Sequence, residues 1–206
     1  MIYSEESFLD RNSFINFTFN HLPHWYQPGK LQFITFRLGD SLPPHVQALI
    51  KNQMDWFIHK NPYPWTTETE YEFTRLFRGV QDKYLDKGYG ECLLKHRECR
   101  DIIVEALSYY TQMECYDFVI MPNHIHLLAT FTEKPETIIG RLKHYTARHI
   151  NKLFNRKDSL WQQDNWDRII RNERHLMNTR TYIFNNPRFL PPGTYTLQMG
   201  GHLLSH

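Results

Sequence analysis

Two short apolar runs lie almost back to back in the middle of the chain. Tyr116–Met121 and Ile125–Thr130 are separated by Pro122, Asn123 and His124 alone. Each run has strand length, and the proline between them blocks a continuous helix. A parallel pair needs a crossover of a dozen or more residues, so these two form an antiparallel hairpin. The rest of the chain must supply partners for that hairpin and cover for its apolar face.

LQFITFRL (31–38) reads as a further strand, rich in β-branched and aromatic residues and ended by Pro43-Pro44. Apolar residues at helical spacing predict helices over His45–His59 (Val46, Leu49, Ile50, Met54, Phe57) and over Thr67–Tyr84 (Tyr71, Leu76, Phe77, Val80). Arg97–Tyr110, Glu136–Phe154 and His175–Phe184 are three more, the last stopped by Asn185-Asn186-Pro187. Trp166–Ile170 is a short strand, and residues 1–30 read as irregular, with a loop closed by Pro28-Gly29. The core order is then β-α-β-β-α-β. This is the ferredoxin-like split motif of an α+β protein, an antiparallel sheet with helices on one face. The helices at about 45–85 are an insertion before the first core helix. One domain over 1–206 is expected, with a core at about 30–188 and a tail at 189–206.

Composition narrows the class. At 41% hydrophobic and 15% aromatic the chain is neither disordered nor collagenous. No apolar run reaches the roughly 18 residues of a membrane span, and the N-terminal MIYSEESFLDRN does not read as a secretory signal. Three cysteines without a CxxC pair argue against a disulfide framework, so a reducing, cytoplasmic setting is expected. The net charge of +2 hides an asymmetry. Lys134 to Arg188 holds twelve Lys/Arg against five Asp/Glu, a net +7 that leaves −5 for the remainder. Basic residues interleaved with Tyr145, Phe154, Trp161 and Trp166 suit a phosphate backbone with stackable bases, though a solvated helix face has the same pattern.

Two features bear on chemistry. His124 and His126 alternate on a strand, so both imidazoles share one face while Ile125 enters the other. Such a pair holds a divalent cation when one more ligand joins it, or it is the polar side of a strand facing water. Tyr182 and Asn186 stand at i and i+4 on a helix, hence on one face. They read either as a nucleophile beside a third metal ligand, or as a packing tyrosine and a capping asparagine.

The motifs together resemble the REP-associated tyrosine transposases, within the single-tyrosine HUH transposases of insertion sequences. HWYQPGKLQFITFRLGDSLP (24–43), LDKGYGECLL (85–94), YDFVIMPNHIHLLAT (116–130), RLKHYTARHIN (141–151), LWQQDNWDRIIRNE (160–173) and YIFNNP (182–187) follow in that family's order. The resemblance spans roughly residues 20–188. It implies a ferredoxin-like fold, a divalent metal (Mg²⁺ or Mn²⁺), and cleavage and joining of single-stranded or hairpin DNA through a 5′-phosphotyrosine. By position, Tyr182 matches the catalytic tyrosine, and His124, His126 and Asn186 the metal ligands. Tyr145, in a basic helix, is the rival nucleophile. Lys143, Arg148, Arg168, Arg171 and Arg174 are the expected phosphate contacts, and Trp161 or Trp166 the stacking residues. After Pro187 the chain reads RFLPPG, where the family more often continues with a small Gly-containing turn. A monomer or homodimer is expected. The competing readings are a DNA hairpin-binding protein that keeps the fold without catalysis, and a phosphodiester hydrolase. The hydrolase would want a third alternating histidine, where Leu128 stands.

Overall fold

The computed structural model describes residues 4–19 and 22–200. The elements run β1 (Asn16–Phe19), β2 (Pro23–Tyr26), β3 (Gln32–Arg37), α1 (Pro44–Lys60), α2 (Thr67–Leu85), α3 (Arg97–Tyr109), β4 (Met113–Ile120), β5 (His124–Phe131), α4 (Pro135–Leu153), β6 (Trp166–Ile169), α5 (Glu173–Asn185) and β7 (Thr196–Gln198). The main sheet has the order β6-β3-β5-β4-β7, antiparallel at every pairing. Without β7 this is the four-strand order of the split motif: β3, β4, β5 and β6 are its strands, and α3 and α4 its helices.

The strands sort their side chains by alternation. Ile34 and Phe36 of β3, Phe118 and Ile120 of β4, and Ile125, Leu127 and Ala129 of β5 point one way. There they pack with Cys99, Ile103 and Leu107 of α3 and Ile138, Ile139 and Leu142 of α4. A register shift at Cys115/Asp117 keeps β4 in phase beyond its bulge. Phe33, Val119 and Leu128 point the other way, against Leu176 and Ile183 of α5. So the two core helices share one face as expected, and α5 covers the opposite one. That second face carries the candidate site.

α1 and α2 form a third cluster with Leu22, Leu42 and the flank of Trp166. α1 buries Val46, Ile50, Met54 and Phe57, as its spacing predicts, but Leu49 is exposed. α2 departs from the expectation. It buries Phe73, Phe77 and Leu85, whereas Tyr71, Leu76 and Val80 are exposed. The apolar residues of its sequence mark two stripes, and the one with two phenylalanines wins the packing because it buries more area.

One expectation fails and another gains detail. Residues 1–30 are not irregular throughout: β1 and β2 pair in their own two-stranded sheet. Alternation over four residues beside prolines is too short to read as a strand. A buried clamp then ties β2 to the core. His24 Nδ1 lies 2.6 Å from Asp167 Oδ2, and His24 Nε2 lies 2.9 Å from Asp164 Oδ1. The tail, of which residues 189–200 are described, carries an edge strand. Thr196–Gln198 pairs with β4 as an edge strand, while Arg100 bonds Thr196 Oγ1 and the Gly193 carbonyl, and Asp117 accepts from the Gly200 N–H. These partners are remote in sequence, which is why no local pattern announces the strand. Among the described residues, no helix is long and apolar enough to cross a membrane.

Candidate active site

The Met121–Asn123 turn is closed by Met121 N–H donating to the His124 carbonyl at 2.8 Å, and it launches β5 with both histidines on the α5 side. Register places His124 opposite Arg37 and His126 between Thr35 and Val119. The pair therefore sits mid-sheet, and its face is not solvated: His124 is 1% exposed and His126 is fully buried. That removes the reading of a strand's wet side.

The two rings are held from behind and meet in front. His124 Nδ1 lies 2.7 Å from Asn123 Oδ1. The Asn123 amide is oriented by its Nδ2, which donates to the Leu85 and Tyr89 carbonyls. Its oxygen therefore faces His124, whose Nδ1 carries the proton, and the lone pair is left on Nε2. His126 Nδ1 lies 2.8 Å from Thr35 Oγ1. The two Nε2 atoms then converge to 3.1 Å. Burial pushes His124 down to about 3, with the nearby Asn186 amide pulling weakly the other way, so the imidazole is neutral at physiological pH.

α5 brings the second half of the site. Its N-terminus is capped by Asn172, whose Oδ1 accepts from the His175 N–H at 2.8 Å. Tyr182 Oη lies 3.2 Å from His126 Nε2, and its ring sits edge-on to Phe33. Asn186 follows one turn later, its N–H donating to the Tyr182 carbonyl. Its side-chain oxygen is buried and has no hydrogen-bond partner. An open groove of about 510 Å³ reaches Tyr182 and Asn186 and is bordered by Asn178, Thr181 and Arg188.

The donor set fits a divalent cation. Two nitrogens at about 2.1 Å from one ion are separated by about 3.0–3.4 Å, the spacing of the Nε2 pair. Asn186 Oδ1 is an orphaned acceptor, costly to bury unless it finds a partner. One amide and two imidazoles make a mixed set that suits Mn²⁺ and tolerates Mg²⁺. No group of three His, Cys, Asp or Glu able to hold a metal occurs among the described residues, so a cation held by the two histidines would take its third ligand from an amide such as that of Asn186 or from water.

The remaining candidates separate. Tyr145 is on α4, packed on the other face of the sheet with Oη 3.3 Å from Glu105 Oε1, away from the histidines. Lys143 corrects the expectation of a phosphate contact. It is buried, and its ammonium donates to the carbonyls of Gln162, Gln163 and Asp164 at 3.0, 3.2 and 3.1 Å. It shapes the loop that leads into β6. Arg148 is exposed on α4, on the far side from Tyr182. Arg171 is ion-paired with Glu70 of α2. Arg168 lies opposite Phe33 on the site face, and Arg174 is exposed in the first turn of α5. Trp161 is core, donating Nε1–H to Thr146 and packing on Phe36. Trp166 is half-buried against Phe73.

Sequence reasoning missed Thr35, Asn123 and Phe33. A signal for Thr35 was available: QFITFR alternates, and its polar Thr35 and Arg37 mark the face that cannot be plain core. Asn123 gave none, because a turn asparagine looks the same whether it caps a strand or orients a ring. The glycine loop before α3 acts at a distance. Gly90 has φ +87°, and a Cβ there would come within 2.7 Å of Asp40, so the loop that presents the Tyr89 carbonyl to Asn123 requires glycine.

The family described as Transposase IS200 like matches residues 94–186, which hold α3 to α5 and all four proposed site residues. A curated relative, the "Putative REP-associated tyrosine transposase" of Haemophilus influenzae, is 31% identical over 42% of this chain and 60% of its own length. The chain thus spans less than two thirds of that relative. A solved structure titled as a REP-associated tyrosine transposase bound to a REP hairpin aligns with 80% of this chain and 70% of that one, at a TM-score of 0.41 and 15% identity. The chain is therefore similar to the IS200-like transposases and to a REP-associated tyrosine transposase, the resemblance that its ordered motifs carry.

Proposed function

We infer that this chain is a single-strand DNA endonuclease and strand transferase that works through a covalent tyrosine intermediate. The observation that carries the reading is the gathering of four side chains: Tyr182 Oη lies 3.2 Å from His126 Nε2, the two Nε2 atoms lie 3.1 Å apart, and the Asn186 amide stands beside His124. Similarity to transposases supports the same reaction class.

Tyr182 Oη attacks the phosphorus of a phosphodiester. An O–P bond forms to the phenol, the P–O3′ bond breaks, and the products are a 5′-phosphotyrosine and a free 3′-OH. The covalent link conserves the phosphodiester, so another 3′-OH reverses the step and joins new ends without ATP. A phenol titrates near 10 in water and must lose its proton to react, here to a water or hydroxide entering by the groove. A divalent cation, when bound, supplies Lewis-acid polarisation of a nonbridging phosphate oxygen. His124, His126 and Asn186 would hold it. Thr35 and Asn123 keep the two rings in the orientation that presents both Nε2 atoms. Phe33 and His126 flank the Tyr182 ring and limit its rotation. Arg168, opposite Phe33 on this face, and Arg188, at the groove, serve as phosphate contacts, and Arg174, exposed in the first turn of α5, is a further candidate.

Incubation of labelled hairpin and unpaired DNA with Mn²⁺, followed by denaturing electrophoresis, tests the proposal. A covalent adduct is expected from the wild type, falling at least about a thousandfold in Tyr182→Phe. An adduct that survives in Tyr182→Phe and disappears in Tyr145→Phe would overturn the assignment. Binding without an adduct under every divalent metal favours a hairpin-binding protein that keeps the fold.

A further inference from the structure

The groove at Tyr182 carries an aromatic ring that the chemistry above does not use. Beyond Asn186 the chain leaves α5 through Pro187, Arg188, Phe189 and Leu190, and the last three line the groove together with Tyr182 and Asn186. At 83% exposed, Phe189 is the most exposed large apolar side chain among the described residues. Scattered apolar groups on a surface are common and by themselves mean little. Three further observations set this ring apart.

First, the backbone that bears it is fixed. The Arg188 N–H donates to the Asn185 carbonyl at 3.2 Å, and the Leu190 N–H to the Pro187 carbonyl at 2.9 Å. Pro187 is buried, and Leu190 packs beside Leu176 and Ile183. The turn therefore holds the ring out at the groove, and a ring held in place loses little freedom when it stacks. Second, the Arg188 guanidinium lies 4.2 Å from the ring centroid. That cation–π contact steadies the ring from one side and leaves a face for a partner. Third, Asp86 is the only acid and Arg188 the only base among the lining residues, so their formal charges cancel. Charge alone does not draw a strand into this groove. Exposed Asn178, Thr181 and Asn185 offer it hydrogen bonds along the α5 border, and Phe189 offers an aromatic face beside a cation. That last pairing is how single-strand sites hold bases.

We propose that Phe189 is a stacking platform for an unpaired nucleobase of the strand whose phosphate lies at Tyr182. The proposal rests on the single-strand DNA reading of the site and deepens it. Phe189 on a base and Arg188 on a phosphate hold one nucleotide at the groove and so set the register of the strand against the phenol. Every base has a π-face, so the platform grips without reading sequence. A paired base is already stacked within its duplex, which gives the groove a preference for unpaired strands.

Fluorescence anisotropy tests it with two single strands of about ten nucleotides, one of mixed sequence without self-complementarity and one of abasic sugars with the same charge. Phe189→Ala is expected to weaken binding of the first about fivefold or more and to leave the second within about twofold. Phe189→Trp should bind the first as tightly as wild type or more so, because the larger ring stacks as well. The side chain is exposed, so neither substitution disturbs the core. Arg188→Ala should weaken both strands together, as a phosphate contact does. Wild-type affinity for the base-bearing strand in Phe189→Ala overturns the platform, and so does a loss of equal size on both strands. Copies of the wild type that associate in sedimentation and separate in Phe189→Ala, with strand affinity unchanged, also overturn it and make the ring a contact between copies. Adduct formation at Tyr182 with a dispensable ring leaves the active-site reading standing. Base-dependent binding that is lost with the ring supports the platform even where no adduct forms. A chain that binds neither strand overturns both.

Discussion

Two buried histidine sites lie on different strands of this molecule and have opposite proton states. His24 and His124 are each 1% exposed. Burial disfavours the charged imidazole at both. At His124 nothing reverses it, because its neighbours are an amide and another imidazole, and the ring stays neutral with a lone pair to offer. At His24 burial also pushes down, but hydrogen bonds to Asp164 and Asp167 outweigh it and lift the group to about 10. Burial raises Asp167 to about 6, which pulls the shared proton the other way. The two-sided grip on His24 decides the matter: both ring nitrogens face carboxylates, so the proton stays on the imidazole. The difference teaches that partners, not depth, determine what a buried histidine does. Carboxylates on both nitrogens make a cross-link with no lone pair left. An amide on one nitrogen leaves the lone pair of the other to offer.

Breaking the His24 clamp should have the largest effect. His24→Ala strands two carboxylates and should cost about 3–5 kcal/mol of stability in urea unfolding. It should leave Mn²⁺ affinity at the other site within about twofold once the protein is folded. A loss below about 1 kcal/mol would show that the clamp is ornamental. Next is the amide that orients the His124 ring. Asn123→Ala should weaken Mn²⁺ binding about 10- to 100-fold in calorimetry with the fold intact. Unchanged affinity would mean that His124 needs no support from behind. The smallest effect per step is expected from pH, at most about 1.4 kcal/mol for each unit across the window. The folded His24 value lies above its ordinary 6.5, so its contribution is complete below about 6.5 and is lost as pH rises toward about 10. The urea midpoint of the wild type should decline through that window, and that of His24→Gln should not. Parallel profiles would place the proton elsewhere.

Local pattern carried much of the fold. The apolar runs around Pro122-Asn123 dictated the hairpin, and alternation put His124 and His126 on one face, because period 2 is a property of the strand itself. Helical spacing put Tyr182 and Asn186 a turn apart for the same kind of reason. The motif order supplied the link between the two pairs. Tertiary structure decided what no local pattern contains. It covered the histidine face with α5 and so made a buried donor set out of what a strand alone would leave in water. It turned Lys143 inward onto three carbonyls, sent Tyr145 to the other side of the sheet, and enlisted Thr35 and Asn123 behind the rings. It also folded part of the N-terminal segment into β1 and β2, with His24 between two aspartates about 140 residues away. The physical reason is common to all of these. Periodicity records which side of an element a residue occupies, whereas burial, proton state and pairing depend on which distant segment packs against that side.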